Sequence, residues 1–224
     1  MTIHEPMQSE MPALEPGLVY LDTANPRTGA IHGLVELSLT ADPAGEVLWV
    51  DARNSATTYA FADASIQHRV MSATKVARAF TAYQHHSLVH ELLDRTTDDT
   101  ILAVAPCLGA LYADEDVPDV EAELLFADVL DALERLAEEH SIPVLVTATT
   151  TPFVAEVAPR AEQTITMRQT DLGMAFETDS FQTTVYHGPG YWQTTIPYWV
   201  DLFGYVDPAL EPVWDPAPSL ATIG

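Results

Sequence analysis

Basic residues are scarce in this chain. Lys and Arg together number 9 against 33 Asp and Glu, and Lys75 is the sole lysine. Strong sequence-independent binding to nucleic acid needs clustered cations that displace counterions from phosphates. Bases spread this thinly form no such cluster. Cysteine is scarcer still. Cys107 stands alone, which excludes an internal disulfide and a cysteine-based zinc site, and fits a cytoplasmic protein. No apolar run reaches the length of a transmembrane helix, so no membrane partner is expected. The opening MTIHEPMQSEMPALEP is acidic and proline-bearing, unlike a signal peptide, and reads as a flexible arm over 1–16. There is no internal repeat and no G-x-S-x-G nucleophile elbow.

What is there suits a folded domain. The chain has 224 residues, 47% of them apolar, enough for one domain with a real core. The formal net charge of −24 in a lysine-poor, Ala/Val/Thr-rich chain resembles proteins of extreme halophiles. Molar salt there shortens the Debye length to about 3 Å and screens the self-repulsion. An acidic mimic of DNA is the sharper reading of the same excess, and habitat is the simpler one.

The hydrophobic pattern alternates between two kinds of element. LVYLD at 18–22 and EVLWVD at 46–51 read as buried strands, and IHGLVELSLTA at 31–41 as a helix with Leu34, Val35 and Leu37 inward. RNSATTYAFAD is a polar loop entering a helix. KVARAF at 75–80 reads as a third strand, HHSLVHELLD at 85–94 as a helix and TILAVA at 100–105 as a fourth strand. The acidic DEDVPDVEAE at 114–123 reads as a solvated loop followed by the first turn of a helix, where the macrodipole favours acids. A metal-binding loop is the alternative. Val120, Leu124, Leu125, Val129, Leu133 and Leu136 mark the apolar face of that helix, over 119–140. IPVLVTAT at 142–149 reads as a fifth strand. Strands alternating with helices predict a parallel sheet covered on both faces. From 161 the stretches QTITMRQ, GMAFET and QTTVYH alternate between short turns and predict antiparallel strands extending one edge.

The order of these pieces, with VLWVDARNS at 47–55, KVARAFTAYQHHSLVHEL at 75–92 and IPVLVTAT at 142–149, resembles the RecA superfamily. The likeness is to the core domain of archaeal RadA and its KaiC-like relatives, and it covers about residues 17–186. It implies a three-layer α/β fold of the P-loop NTPase type, with a mostly parallel sheet and an antiparallel C-terminal edge. The domain is expected over 17–206, with a Pro-rich tail over 207–224. The resemblance also shows what is missing. A Walker A loop reads G-x-x-x-x-G-K-[ST]. In ANPRTGAI, Ala24 stands at the first Gly, Arg27 and Thr28 lie within the loop, and Gly29 matches the second Gly. Ala30 and Ile31 stand where the phosphate-binding Lys and the Mg²⁺-binding hydroxyl belong. Arg53 stands where RadA-like proteins carry the glutamate that activates water, and a guanidinium cannot be a general base. Ala105 takes the place of the Walker B aspartate, and Thr147-Ala148-Thr149 that of Thr-Asn-Gln.

These losses together imply a domain that kept the fold and dropped hydrolysis, with no catalytic residue and no cofactor expected. Weak nucleotide or anion binding by Arg27 and the backbone N–H groups of the following helix is left open. The expected role is an accessory or regulatory protein that pairs with itself or with an active RecA-family ATPase. DNA repair or recombination is the context that the resemblance implies. The loop at 150–163 has one Arg and two Glu, unlike a DNA-binding loop. Two rival classes stand beside this reading. One is an ATPase using Arg27 for charge and Asp51 for metal. The other is a nucleic-acid binder, which requires Arg27, Arg53, Arg78 and Arg160 to converge.

Two further groups stand out. His86 and His90 are four apart and can share a helix face near His85, which suits a metal. The sequence identifies no third ligand, so no metal site is expected. Tyr191, Trp192, Tyr198, Trp199 and Phe203, with Tyr205 and Trp214, crowd the C-terminal region. They pack on the sheet edge or form a patch that docks a partner.

Overall fold

A computed structural model describes residues 11–25, 29–56, 64–149, 153–170, 173–179, 181–188 and 191–194. Strands β1 (Gly17–Thr23), β2 (Glu46–Ala52), β3 (Thr74–Ala79), β4 (Thr100–Ala105), β5 (Pro143–Val146), β6 (Gln163–Thr170), β7 (Gly173–Thr178), β8 (Phe181–Gly188) and β9 (Tyr191–Thr194) form one sheet. Its order is β3-β2-β4-β5-β1-β6-β7-β8-β9. The helices are α1 (Ala30–Ala41), α2 (Ala64–Ala73), α3 (Ala82–Arg95), α4 (Asp119–His140) and the single turn α5 (Val154–Val157).

The strands from β3 to β6 pair in parallel, and β7, β8 and β9 add antiparallel pairs at the C-terminal edge. This is the three-layer α/β fold with a mostly parallel sheet that the pattern predicts. QTITMRQT, β6, is the joint between the two parts: it is antiparallel to β7, as expected, and parallel to β1 on its other side, with Leu21 opposite Ile165. A strand reached by a crossover and a strand reached by a hairpin alternate in the same way, so periodicity does not separate them.

The chain order explains the layers. From β1 the chain moves through α1 and α2 towards the β3 edge, then returns through α3 and α4. Right-handed crossovers put the outward and returning helices on opposite faces. Side chains two apart then divide between two cores. Leu18, Tyr20, Leu48, Val50, Val144 and Val146 pack with α3 and α4. Val19, Leu21, Val47, Trp49 and Leu145 pack with α1 and Val70 of α2. Every residue of β2 after Glu46 is buried.

Of the residues expected inward on the first helix, Leu34 and Val35 are buried and Leu37 is half-buried. Within the N-terminal segment, Met11 is buried, and it fits because Gly33 of α1 has no side chain. A Cβ at Gly33 would lie 2.8 Å from the Met11 methyl. On α4 the expected apolar face is corrected at two positions. Val120 and Leu124 are 71% and 68% exposed. The buried stripe runs through Ala122, Phe126, Val129, Leu130, Leu133, Leu136 and Ala137. At about 100° per residue, 120 and 124 point away from 122 and 126. Asp119 and Glu121 do occupy the first turn of α4.

Between α3 and the segment after β4 lies a buried polar pair. The His85 Nδ1 is 2.9 Å from the Tyr112 hydroxyl, and His85 Nε2 has no partner among the described residues. Burial, with the neighbouring His86, lowers the His85 pKa to about 4. The folded state therefore holds a neutral imidazole that the unfolded chain protonates near 6.5. The stability this contributes is complete above pH 6.5 and is lost as pH falls towards 4. The loss is about 3 kcal/mol. His85→Leu should flatten the dependence of Tm on pH across that window, measured by circular dichroism.

Candidate functional site

In open α/β sheets, ligands bind beyond the carboxyl ends of the strands, where helices leave to opposite faces. Here that place lies at the ends of β1, β4 and β5, with the end of β2 beside them. All four strand ends carry positions singled out by the sequence.

The β1 end leads through Ala24 and Asn25 to residues 26–28, so Arg27 and Thr28 lie outside the described residues. Gly29 precedes α1 with φ 85°, a left-handed conformation that suits glycine. Its carbonyl accepts the Gly33 N–H at 3.0 Å, starting the helix. The next two side chains turn inward. Ala30 and Ile31 are each 1% exposed and belong to the core under α1. The first turn of α1 has no acidic residue and no side-chain cap. A groove of about 430 Å³ opens beside this end, lined by Asp22, Thr23, Ala24 and Asn25 on one side and by Thr166–Gln169 of β6 on the other.

The β2 end closes on itself. Asp51 is 1% exposed. Its Oδ1 accepts the Ser55 N–H at 2.8 Å and the Ser55 hydroxyl at 2.6 Å, and its Oδ2 accepts the Ala56 N–H at 3.2 Å. Arg78 of β3 lies 3.4 Å from Oδ2. These bonds hold Arg53 and Asn54 in left-handed backbone, at φ 64° and 57°. The Arg53 guanidinium donates to the Ala110 carbonyl at 2.8 Å and pairs with Asp114, tying β2 to the segment after β4. Asp114 thus enters an ion pair from the acidic stretch that was a candidate metal loop.

The β4 and β5 ends are stitched together. Ala105 is fully buried. Cys107, at φ 57°, donates its N–H to the Thr147 hydroxyl at 2.8 Å, and Leu108 donates to the Thr147 carbonyl at 2.6 Å. Thr147 is 0% exposed. Gly109, at φ 89°, lies so close to Phe153 that a Cβ there would meet the Phe153 Cβ at 2.8 Å.

Of the four arginines named above, Arg53, Arg78 and Arg160 lie among the described residues, each against a carboxylate. Arg53 faces Asp114, Arg78 faces Asp51, and Arg160 is held by Glu134 and Asp131 of α4. Glu134 raises the Arg160 pKa further above its ordinary value. Of the aromatic group, Tyr191 and Trp192 lie on β9, opposite Gly188 and His187 of β8. Tyr198, Trp199 and Phe203 lie outside the described residues, as do Tyr205, Trp214 and the tail at 207–224. Among the described residues the large exposed apolar side chains sit elsewhere: Val76 and Phe80 at the β3 edge, Tyr83 at the start of α3, Val120 and Leu124 on α4, and Met71 on α2. His85 turns inward, whereas His86 and His90 meet Asp128 of α4. No helix among the described residues is long and apolar enough to cross a membrane.

No protein-family model matches the chain, and no curated protein matches it.

Sequence reasoning found the strand ends but missed what they bond. Ser55 and Thr147 carried no signal separating a structural hydroxyl from any other. Asp51 was read as a metal ligand in one alternative, yet both its oxygens already accept protein hydrogen bonds. Two substitutions measure these roles. Asp51→Ala should lower stability by about 3 kcal/mol or more, because it strands buried donors. Thr147→Val keeps the shape and removes the acceptor of the Cys107 N–H, and should cost about 1–3 kcal/mol. Denaturant unfolding in molar KCl reads both.

Proposed function

We propose that the chain is a non-hydrolysing RecA/RadA-like domain. It acts in the cytoplasm as an accessory or regulatory protein, pairing with itself or with an active RecA-family ATPase, in DNA repair or recombination. One observation carries the reading: at the strand ends where a P-loop ATPase keeps its chemistry, the described side chains serve the fold. Ile31 and Ala105 are core residues, Asp51 and Thr147 accept internal hydrogen bonds, and Arg53 ties two segments together. At the β2 end, both oxygens of Asp51 already accept hydrogen bonds, so it cannot take up a metal's water shell and keep them.

The sheet arrangement supports the family part of the reading, since a mostly parallel sheet with an antiparallel C-terminal edge is what the resemblance implies. A binding role is supported by apolar side chains left in water at one edge, with Phe80 76% exposed. Strong nucleic-acid binding is disfavoured because Arg53, Arg78 and Arg160 each face carboxylates.

Equilibrium binding of ATP, with and without Mg²⁺ in molar KCl, tests the proposal. No saturable binding up to millimolar ATP is expected. Saturable Mg²⁺-dependent binding that Arg27→Ala removes would sink it in favour of an ATPase with an unorthodox loop.

A further inference from the structure

His86 and His90 lie one turn apart on α3, and α4 packs beside them. The Nε2 atoms of both rings point at the same oxygen, Asp128 Oδ2, at 2.7 and 2.6 Å. The ring centroids are 4.6 Å apart. The three ligand atoms lie within 4.8 Å of one another. The site joins two consecutive helices, α3 and α4.

We propose that His86, His90 and Asp128 form a binding site for a divalent transition-metal ion of the zinc class. Two imidazole nitrogens and one carboxylate oxygen are a borderline donor set, suited to Zn²⁺, Co²⁺, Ni²⁺ or Cu²⁺ and not to Mg²⁺ or Ca²⁺, which take oxygen. Zinc–nitrogen and zinc–oxygen bonds of about 2.0–2.2 Å in a tetrahedron separate the ligand atoms by roughly 3.3 Å. The two Nε2–Oδ2 separations must therefore open by about 0.6 Å around the ion. The side chains have room for this, being 26%, 37% and 54% exposed. Each ring coordinates through Nε2 and carries its proton on Nδ1. Three protein ligands leave a fourth position open to water or to a ligand from another molecule. The ion cross-links α3 to α4 and favours the folded state by mass action, shifting the folding equilibrium about a hundredfold when free ion stands at a hundred times Kd.

A chain of net charge −24 attracts cations generally, so the test must separate imidazole ligation from carboxylate attraction. The full chain, stripped with chelator, is titrated with Co²⁺ in molar KCl and excess Mg²⁺. Visible absorption and calorimetry follow the binding. One Co²⁺ per chain is expected, with the absorption of a nitrogen-ligated ion, and Zn²⁺ displaces it and raises the Tm. His90→Ala and the volume-conserving Asp128→Asn should each weaken binding by about tenfold or more, and each should shrink the Tm rise, while His140→Ala changes neither. Binding that is lost in excess Mg²⁺, or that is unchanged in the His86→Ala/His90→Ala double variant, overturns the proposal. Melting curves in chelator establish that the variants fold.

Discussion

A sheet buried on both faces dictates most of this molecule. Every side chain along the middle of β1, β2, β4 and β5 must be apolar, because each points into one core or the other. Polar chemistry is thereby confined to the strand ends and the outer helix surfaces. At the ends, a buried polar group must find a partner or destabilise the fold. Asp51, Ser55 and Thr147 satisfy that demand from within the chain. The same constraint that makes such ends good ligand sites in other α/β proteins makes these ends good clasps. Once both oxygens of Asp51 hold Ser55 and Ala56, a ligand there has to break structure before it can bind.

The electrostatics follow a similar logic. Few bases are available, and those described stand mostly against carboxylates: Arg53 at the β2 end, Lys75 beside Glu46, Arg95 beside Glu91, and Arg160 on α4. Their use is local, joining segments. Exposed pairs of this kind contribute little each. Arg53 and Arg160 stand out because each bridges elements far apart in sequence, not because either pair is strong.

The elements were legible because their apolar runs are long and unambiguous. EVLWVD and TILAVA admit few alternatives, and α4 was bounded at 119–140 by its acidic start and continuous apolar stripe. Legibility failed where the deciding fact was three-dimensional. Val120 and Leu124 are apolar and helical, and only the angle of the helix on the sheet puts them in water. The parallel direction of β6 depends on β1 having a vacant side. At the site, the missing lysine, hydroxyl and carboxylates could be read as letters. That Asp51 and Thr147 bond inward could not, since a hydrogen-bond partner is a neighbour in space. Asp128 shows the same limit, because no spacing along the chain links it to His86 and His90.

The position of β1 has a consequence for how the protein is made. Of the strands described, this one leaves the ribosome before the others and is one of the most enclosed, with Gly17 beside Pro143 on one side and Val19 beside Gln163 on the other. Neither neighbour exists until synthesis has passed β5 and β6. For that interval LVYLD offers two unpaired edges and two apolar faces, the features that recruit wrong partners during slow, non-local assembly. Slower translation lengthens that interval, and a chaperone that covers LVYLD shortens its exposure.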